Sequence, residues 1–107
     1  MIELTKETFD SEVLNAEGLV FVDFYGDTCV PCVALRPRVE ELAAIYADSL
    51  KFTALNTTKA RRLAISQKVI GLPVLAVYKD GEKLRELVGD DATAENLEAM
   101  LKDYKQT

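Results

Sequence analysis

Two cysteines separated by two residues, Cys29 and Cys32, are the side chains best suited to chemistry in this sequence. They follow an apolar run at residues 20–25 and a short polar turn, and they begin a segment with helical periodicity. Residues three apart on a helix are neighbours, with Cα atoms inside the roughly 4.4–6.8 Å that a disulfide requires. Backbone N–H groups at a helix N-terminus favour a thiolate. The spacing therefore predicts redox chemistry, with the earlier and more exposed Cys29 as the thiolate.

The amino-acid composition argues against several functions other than redox chemistry. The 107 residues include no histidine, which excludes Ser–His and Cys–His hydrolase mechanisms. Only two cysteines and carboxylates are left as strong metal ligands, so we predict no metal site. A net charge of −5 argues against nucleic acid or an anionic membrane as partner. We expect one domain over residues 1–107, a monomer in the cytoplasm, where a structural disulfide is rare.

Periodicity predicts an α/β chain with a central mixed sheet of four to five strands and helices on both faces. Strands are expected at residues 2–4, 20–25, 50–56, 74–78 and 83–88, and helices at 5–15, 30–47, 60–68 and after Thr93. The strand at 20–25 is apolar on both faces except at Asp23, which indicates a central position. Asp80-Gly81 predicts a tight hairpin, and Pro37 predicts a kink inside the second helix.

Apolar positions at helical spacing predict which helix faces are buried. The predicted inward residues are Phe9, Val13 and Leu14; Val33, Leu35, Val39, Leu42, Ala43, Ile45 and Tyr46; Leu63, Ala64 and Ile65; and Leu97, Met100, Leu101 and Tyr104. Arg61, Arg62 and Lys68 are expected to point outward as a solvated basic face, with a docking patch as the alternative.

Several motifs resemble the thioredoxin family in order and spacing, over essentially the whole chain. They are Val22-Asp23-Phe24, Cys29-Val30-Pro31-Cys32, Pro37, Gly71-Leu72-Pro73, Asp80-Gly81 and Gly89. The resemblance implies the thioredoxin fold and a protein-disulfide reductase whose cofactor is its own redox-active disulfide. It also implies two kinds of partner, a thioredoxin reductase and disulfide-containing proteins.

The resemblance further implies roles for individual residues. Cys29 would attack, Cys32 would resolve and Asp23 would be the buried acid/base, while Pro73 would be a cis-proline facing the disulfide. The residues expected to contact substrate are Tyr25, Thr28, Val30, Pro31, Gly71, Leu72 and Pro73.

The chain also departs from the family pattern. Val30 stands where glycine is usual, Thr28 and Tyr25 stand where tryptophans are usual, and Ala54 replaces a lysine near the acid. Phe21 and Tyr25, its neighbours on its own face, offer Asp23 no partner. Without that lysine, we expect burial to raise the pKa of Asp23 with less opposition than in a typical thioredoxin. The competing interpretation is an ordinary strand carboxylate paired with some cation.

Three other functions are weighed against protein-disulfide reduction. One is a binding module of the same fold without turnover, and another is an oxidase or isomerase. The third is an electron donor dedicated to one reductase system, because Cys-Val-Pro-Cys resembles variant thioredoxins that serve glycine reductase in amino-acid-fermenting anaerobes. Retention of both cysteines, Asp23 and Pro73 favours the reductase.

Overall fold

A mixed sheet of five strands forms the centre of the molecule, for which a computed structural model describes residues 1–105. The strands are β1 (Ile2–Leu4), β2 (Leu19–Tyr25), β3 (Lys51–Asn56), β4 (Val74–Lys79) and β5 (Glu82–Val88). Their order is β1-β3-β2-β4-β5, and the central β2 runs parallel to β3 and antiparallel to β4. The predicted mixed sheet of four to five strands is confirmed.

Helical segments connect the strands and cover both faces of the sheet. They are a π-helix (Asp10–Leu14), α1 (Val30–Ile45), α2 (Arg61–Ser66), α3 (Ala94–Lys102) and two 3-10 turns (Thr57–Lys59 and Gly89–Asp91). The helices predicted at 5–15, 30–47 and 60–68 are present but shorter than predicted, because turns form their ends, and the last helix begins after Thr93, as predicted. Pro37 lies inside α1, as predicted, and the helix continues beyond it.

The alternation of side chains along β2 divides the core in two. Val20, Val22 and Phe24 face one core, which also contains buried residues of the π-helix and α2. Phe21 faces the other core, where residues of α1 and α3 pack against the sheet. Asp23 shares the face of Phe21, so the alternation places its carboxylate on the α1 side of the sheet.

Three residues predicted to point inward are exposed: Val33 and Ile45 of α1, and Ile65 of α2. The buried face of α1 contains Val39, and Val33 and Ile45 each lie six residues from it, about 120° around the helix. The six-residue α2 buries Ala64, and its neighbour Ile65 points away from the core. Both errors arise because hydrophobic residues outnumber the positions that the core can cover.

The predicted turn and cap signals are confirmed. Asp80 and Gly81 have φ values of +50° and +86° between β4 and β5, as a tight hairpin requires. Thr93 caps α3, since its hydroxyl oxygen accepts a hydrogen bond from the Asn96 N–H at 3.1 Å. The Leu72–Pro73 peptide bond is cis.

Candidate active site

Cys29 is the N-cap of α1, the position from which a side chain can satisfy the free N–H groups of the first turn. Its backbone is extended, and its Sγ accepts a hydrogen bond from the Cys32 N–H at 3.2 Å. Pro31 lies in the first turn, where its missing N–H removes no helical hydrogen bond. A negative charge on Cys29 Sγ would therefore meet a donor and the positive end of the helix.

The two cysteines form a disulfide with a Cα–Cα distance of 5.3 Å. Cys32 is 5% exposed, whereas Cys29 is only partly buried. The predicted pairing and the predicted difference in exposure are therefore both present. The sulfur that partners can reach is that of Cys29.

A groove of about 710 Å³ runs past Cys29. It is lined by residues 26, 28–31, 57, 58, 61, 64, 65, 69, 70 and 72, and we call it the disulfide groove. Four of the predicted substrate contacts, Thr28, Val30, Pro31 and Leu72, line it. At the edge of the groove, the Thr58 hydroxyl oxygen accepts a hydrogen bond from the Asp27 N–H at 3.0 Å, which connects the two walls.

The loop before β4 approaches the end of β2 closely. A Cβ atom on Gly26 would lie 3.0 Å from Leu72 Cδ1, so any other residue at position 26 would require the Leu72 side chain to shift. Gly71 is exposed beside Leu72, whereas Pro73 is buried and its carbonyl accepts a hydrogen bond from the Gly89 N–H at 2.9 Å. Thus Leu72 lines the disulfide groove and Pro73 lies beneath the surface.

Asp23 has a cationic partner, and the expectation that it has none is wrong. Arg36 Nε of α1 lies 3.3 Å from Asp23 Oδ2, and the Asp23 side chain is 4% exposed. A second cavity, of about 330 Å³, lies beside Arg36 and is here called the Arg36 cavity. It is lined by Tyr25, Cys32, Val33, Arg36 and Pro37. The structure thus places Tyr25 beside Cys32 and Arg36, outside the lining of the disulfide groove.

The Tyr25 ring packs against the guanidinium of Arg36. The guanidinium carbon of Arg36 lies 4.7 Å from the centroid of the Tyr25 ring, a distance suited to a cation–π contact. The Tyr25 hydroxyl donates a hydrogen bond to Glu3 Oε2 at 2.5 Å. Burial, followed by this hydrogen bond to the carboxylate, raises the pKa of Tyr25 to about 12. Tyr25 therefore stays protonated at physiological pH and keeps its contacts with Arg36 and Glu3.

The pKa of Asp23 is raised from its usual value near 3.8 to about 6. Burial is the largest cause, because it penalises the ionised form. The charge of Arg36 and its hydrogen bond lower the pKa, and the charge of Glu3 raises it slightly. Desolvation therefore outweighs the ion pair, and Asp23 can exchange a proton close to neutral pH.

Sequence reasoning missed Arg36 because it considered only the neighbours of Asp23 on its own strand. A signal was present, since Arg36 lies four residues after Cys32 and so on the same face of α1. The pairing of β2 with β3 explains how Asp23 can have a cationic partner although Ala54 replaces the usual lysine. Ala54 is directly opposite Asp23 on β3, so the cation approaches from α1 instead of from the sheet.

Residues 1–105 contain neither a metal-binding cluster nor a membrane-spanning helix. Within that range no group of three or more His, Cys, Asp or Glu side chains is arranged to hold a metal ion. No helix in the same range has the length and apolar character needed to cross a bilayer.

Comparison with known proteins gives one consistent family. Residues 1–103 match a family model described as Thioredoxin. A thioredoxin of Acetoanaerobium sticklandii is 55% identical over 104 residues, which is 97% of this chain and 99% of the relative. A thioredoxin of Peptoclostridium acidaminophilum is 54% identical over 101 residues, 94% of this chain and 92% of the relative. Thioredoxin C-2 of Corynebacterium nephridii is 36% identical over 83% of this chain and 82% of its own length.

The raised pKa of Asp23 predicts a stability difference that depends on pH. A carboxyl group whose pKa is higher in the folded protein favours folding when protonated, so its contribution is present below about pH 4 and lost as pH rises through 6. Asp23→Asn removes the buried charge. We expect it to raise the free energy of unfolding of the oxidised protein at pH 7 by about 3 kcal/mol, and by little at pH 4.

Urea unfolding of both oxidised proteins between pH 4 and 7.5 measures this difference. Asp48→Asn, at an exposed position after α1, controls for the loss of one negative charge. A constant difference between Asp23→Asn and wild type across this range would contradict the prediction.

Proposed function

The chain belongs to the thioredoxin family and is a thiol–disulfide oxidoreductase, and we propose that Cys29 is its attacking sulfur and Cys32 its resolving sulfur. The observation that carries this assignment is the N-cap hydrogen bond. Cys29 Sγ accepts it from the Cys32 N–H, which leaves the more exposed sulfur as the better stabilised anion. Neither the binding module nor the dedicated glycine reductase donor is favoured by the matches.

The proposed reaction has two exchange steps. The Cys29 thiolate attacks one sulfur of a substrate disulfide, forms a mixed disulfide and releases the other substrate sulfur as a thiolate. Cys32 then loses its proton and attacks Cys29 Sγ, which closes the Cys29–Cys32 disulfide and releases the second substrate thiolate. Two electrons pass from the dithiol to the substrate. The two released thiolates take up two protons, one that Cys32 gave up and one from solvent that replaces the proton Cys29 lost on ionising.

Asp23 is proposed as the base that accepts the Cys32 proton in the second step. With a pKa of about 6 it is mostly ionised at pH 7, yet basic enough to take a proton. Arg36 is proposed as a positioning residue, because its charge holds the pKa of Asp23 below the value that burial alone would give. Cys32 and Arg36 line the same cavity, and Arg36 contacts Asp23.

The disulfide groove is proposed to hold the substrate chain. Thr28, Val30, Pro31 and Leu72 would contact its side chains, because they surround the exposed edge of Cys29. The backbone of residues 71 and 72 would contact the main chain of the substrate, whereas the buried Pro73 would only shape this loop. We propose that Tyr25 acts indirectly, by supporting Arg36, and not as a substrate contact.

The family implies the general partners, a thioredoxin reductase and proteins that contain disulfides. Thioredoxins use their redox-active disulfide and no external cofactor. Beyond this we propose a monomer of one domain that works in the cytoplasm. The support is the cysteine usage, since both cysteines of the chain belong to the redox pair and neither is left for a structural disulfide.

The assignment of the two sulfurs is tested by trapping. Reduced Cys32→Ser protein, mixed with a disulfide-containing protein such as insulin, should accumulate a mixed disulfide through Cys29 because no thiol remains to resolve it. Cys29→Ser should accumulate at least about tenfold less, because its remaining thiol is neither exposed nor at the helix N-cap. Non-reducing electrophoresis with mass spectrometry measures both products. Efficient trapping by Cys29→Ser would reverse the assignment.

The role of Arg36 is tested by the pH dependence of resolution. In wild type the rate at which the mixed disulfide resolves should rise with pH around 6, as Asp23 ionises. Arg36→Met removes the cation that lowers the pKa of Asp23, so the midpoint should move up by about one pH unit while the plateau is kept.

Arg38→Met is the matched control, because Arg38 lies on the same helix but pairs with Glu41 and Glu98. Rapid-mixing kinetics and NMR titration of the Asp23 carboxyl carbon give the two readouts. Equal shifts in Arg36→Met and Arg38→Met would mean that net charge alone sets the midpoint.

The proposed cytoplasmic role predicts a reducing couple. We expect a reduction potential within a few tens of millivolts of about −270 mV, a value carried over from thioredoxins in general and not obtained from this geometry. Equilibration with glutathione or dithiothreitol buffers measures it. A potential near about −120 mV would mark an oxidant and count against the cytoplasmic placement.

A further inference from the structure

Charge is distributed very unevenly along the chain. Residues 49–79 contain six of the thirteen Lys and Arg residues and none of the eighteen Asp and Glu residues. The rest of the chain is therefore strongly acidic. The basic segment comprises β3, α2, the cis-proline loop and β4, so it forms the wall of the disulfide groove that faces Cys29.

Four exposed cations of this segment lie in or beside α2: Lys59, Arg61, Arg62 and Lys68. None of the four forms an ion pair within residues 1–105, whereas Arg36 does. Arg61 lines the disulfide groove itself, and no carboxylate is among the residues that line it. The groove that contains the reactive sulfur therefore also contains a cation without an ion-pair partner among residues 1–105.

The same groove exposes apolar side chains that the core does not use. Val30, Ile65 and Ile70 are 76%, 65% and 89% exposed, and all three line the groove. They come from both walls, because Val30 begins α1 while Ile65 and Ile70 belong to the basic segment. A ligand that covers these three side chains would bury apolar surface and would also contact Arg61.

We propose that the disulfide groove selects protein disulfides whose cysteine is flanked by an acidic side chain and an aliphatic one. This inference rests on the proposed function and names the substrate class of the same site. The acidic group would meet Arg61, with Lys59 and Arg62 steering its approach, and the aliphatic group would cover Ile65 or Ile70. Complementary charges at the rim of a site act mainly on encounter rate and partner choice, which suits a protein that must find one disulfide among many.

The occupant is a partner protein and not a second copy of this chain. The acidic remainder of the chain would attract the basic segment of another copy, but such a contact would cover Cys29 in the copy whose groove is occupied. The exchange reaction requires Cys29 to reach a foreign disulfide. Charge complementarity therefore favours an acidic substrate segment.

The test compares two cyclic disulfide peptides that differ only in the flanking residues, Glu-Val in one and Lys-Val in the other. Reduced protein is mixed with each, and the second-order rate is measured by stopped flow at low and high salt. We expect the acidic peptide to react about threefold to fivefold faster at low salt, as one surface ion pair allows. About 0.5 M NaCl should remove most of this preference.

Arg61→Glu should abolish or reverse the preference. Lys79→Glu is the matched control, because it changes the net charge by the same amount far from the groove. Lys79 pairs with Leu19 at the start of β2, whereas Cys29 follows the opposite end of that strand. Ile70→Ser should reduce the rate with both peptides about threefold by removing apolar contact, whereas Ile45→Ser, an exposed isoleucine on α1, should not. Equal effects of Arg61→Glu and Lys79→Glu would overturn the proposal.

Two further measurements distinguish failure of the groove proposal from failure of the proposed function and from dimer formation. The neutral small disulfide bis(2-hydroxyethyl) disulfide reports on exchange chemistry alone, so failure to reduce it would refute the proposed function itself. Normal reduction of this compound without any discrimination between the peptides would refute only the groove proposal. Sedimentation at low salt tests the second copy as occupant, and a dimer that Arg61→Glu dissociates would also overturn the proposal.

Discussion

The burial of Asp23 between β2 and α1 is the constraint on which the site depends. Burial disfavours the ionised carboxylate and raises its pKa, whereas the ion pair with Arg36 favours the ionised form and lowers the pKa. Arg36, 3.3 Å away, opposes the desolvation without overcoming it, so the pKa is about 6. A proton can then be taken or given near neutral pH because the ion pair offsets part, but not all, of the effect of desolvation. The Tyr25 ring and Glu3 matter since they fix where Arg36 can lie.

The first turn of α1 gives the two sulfurs different surroundings. Cys29 caps the helix and opens onto the disulfide groove, where access and a hydrogen-bond donor favour attack. Cys32, three residues later, is buried and lines the Arg36 cavity, and Asp23 contacts the guanidinium of Arg36. The two sulfurs of one disulfide thus differ in exposure and in charged neighbours, as the two proposed roles require. The alternation of β2 makes this possible, because it turns Asp23 to the α1 side.

Much of this arrangement is readable from the sequence because the signals are local. The cysteine spacing, the alternation of residues 20–25, the Asp80-Gly81 hairpin and the Thr93 cap each depend on a few adjacent residues. The cis bond at Pro73 was expected from the resemblance, not from local physics. The contact of Arg36 with Asp23 was not predicted, since it depends on how α1 is rotated above the sheet. The roles of the individual site residues stay predictions, as no comparison tests them one by one.

The source of the cation distinguishes this site from the family pattern in a way that affects mechanism. A lysine at residue 54 would reach Asp23 from β3, an element that carries neither cysteine. Here the cation belongs to α1, one helical turn after Cys32, so a single element carries Cys32 and the cation that lowers the pKa of Asp23. In the proposed mechanism, α1 therefore links the position of the resolving thiol to the pKa of the proposed base.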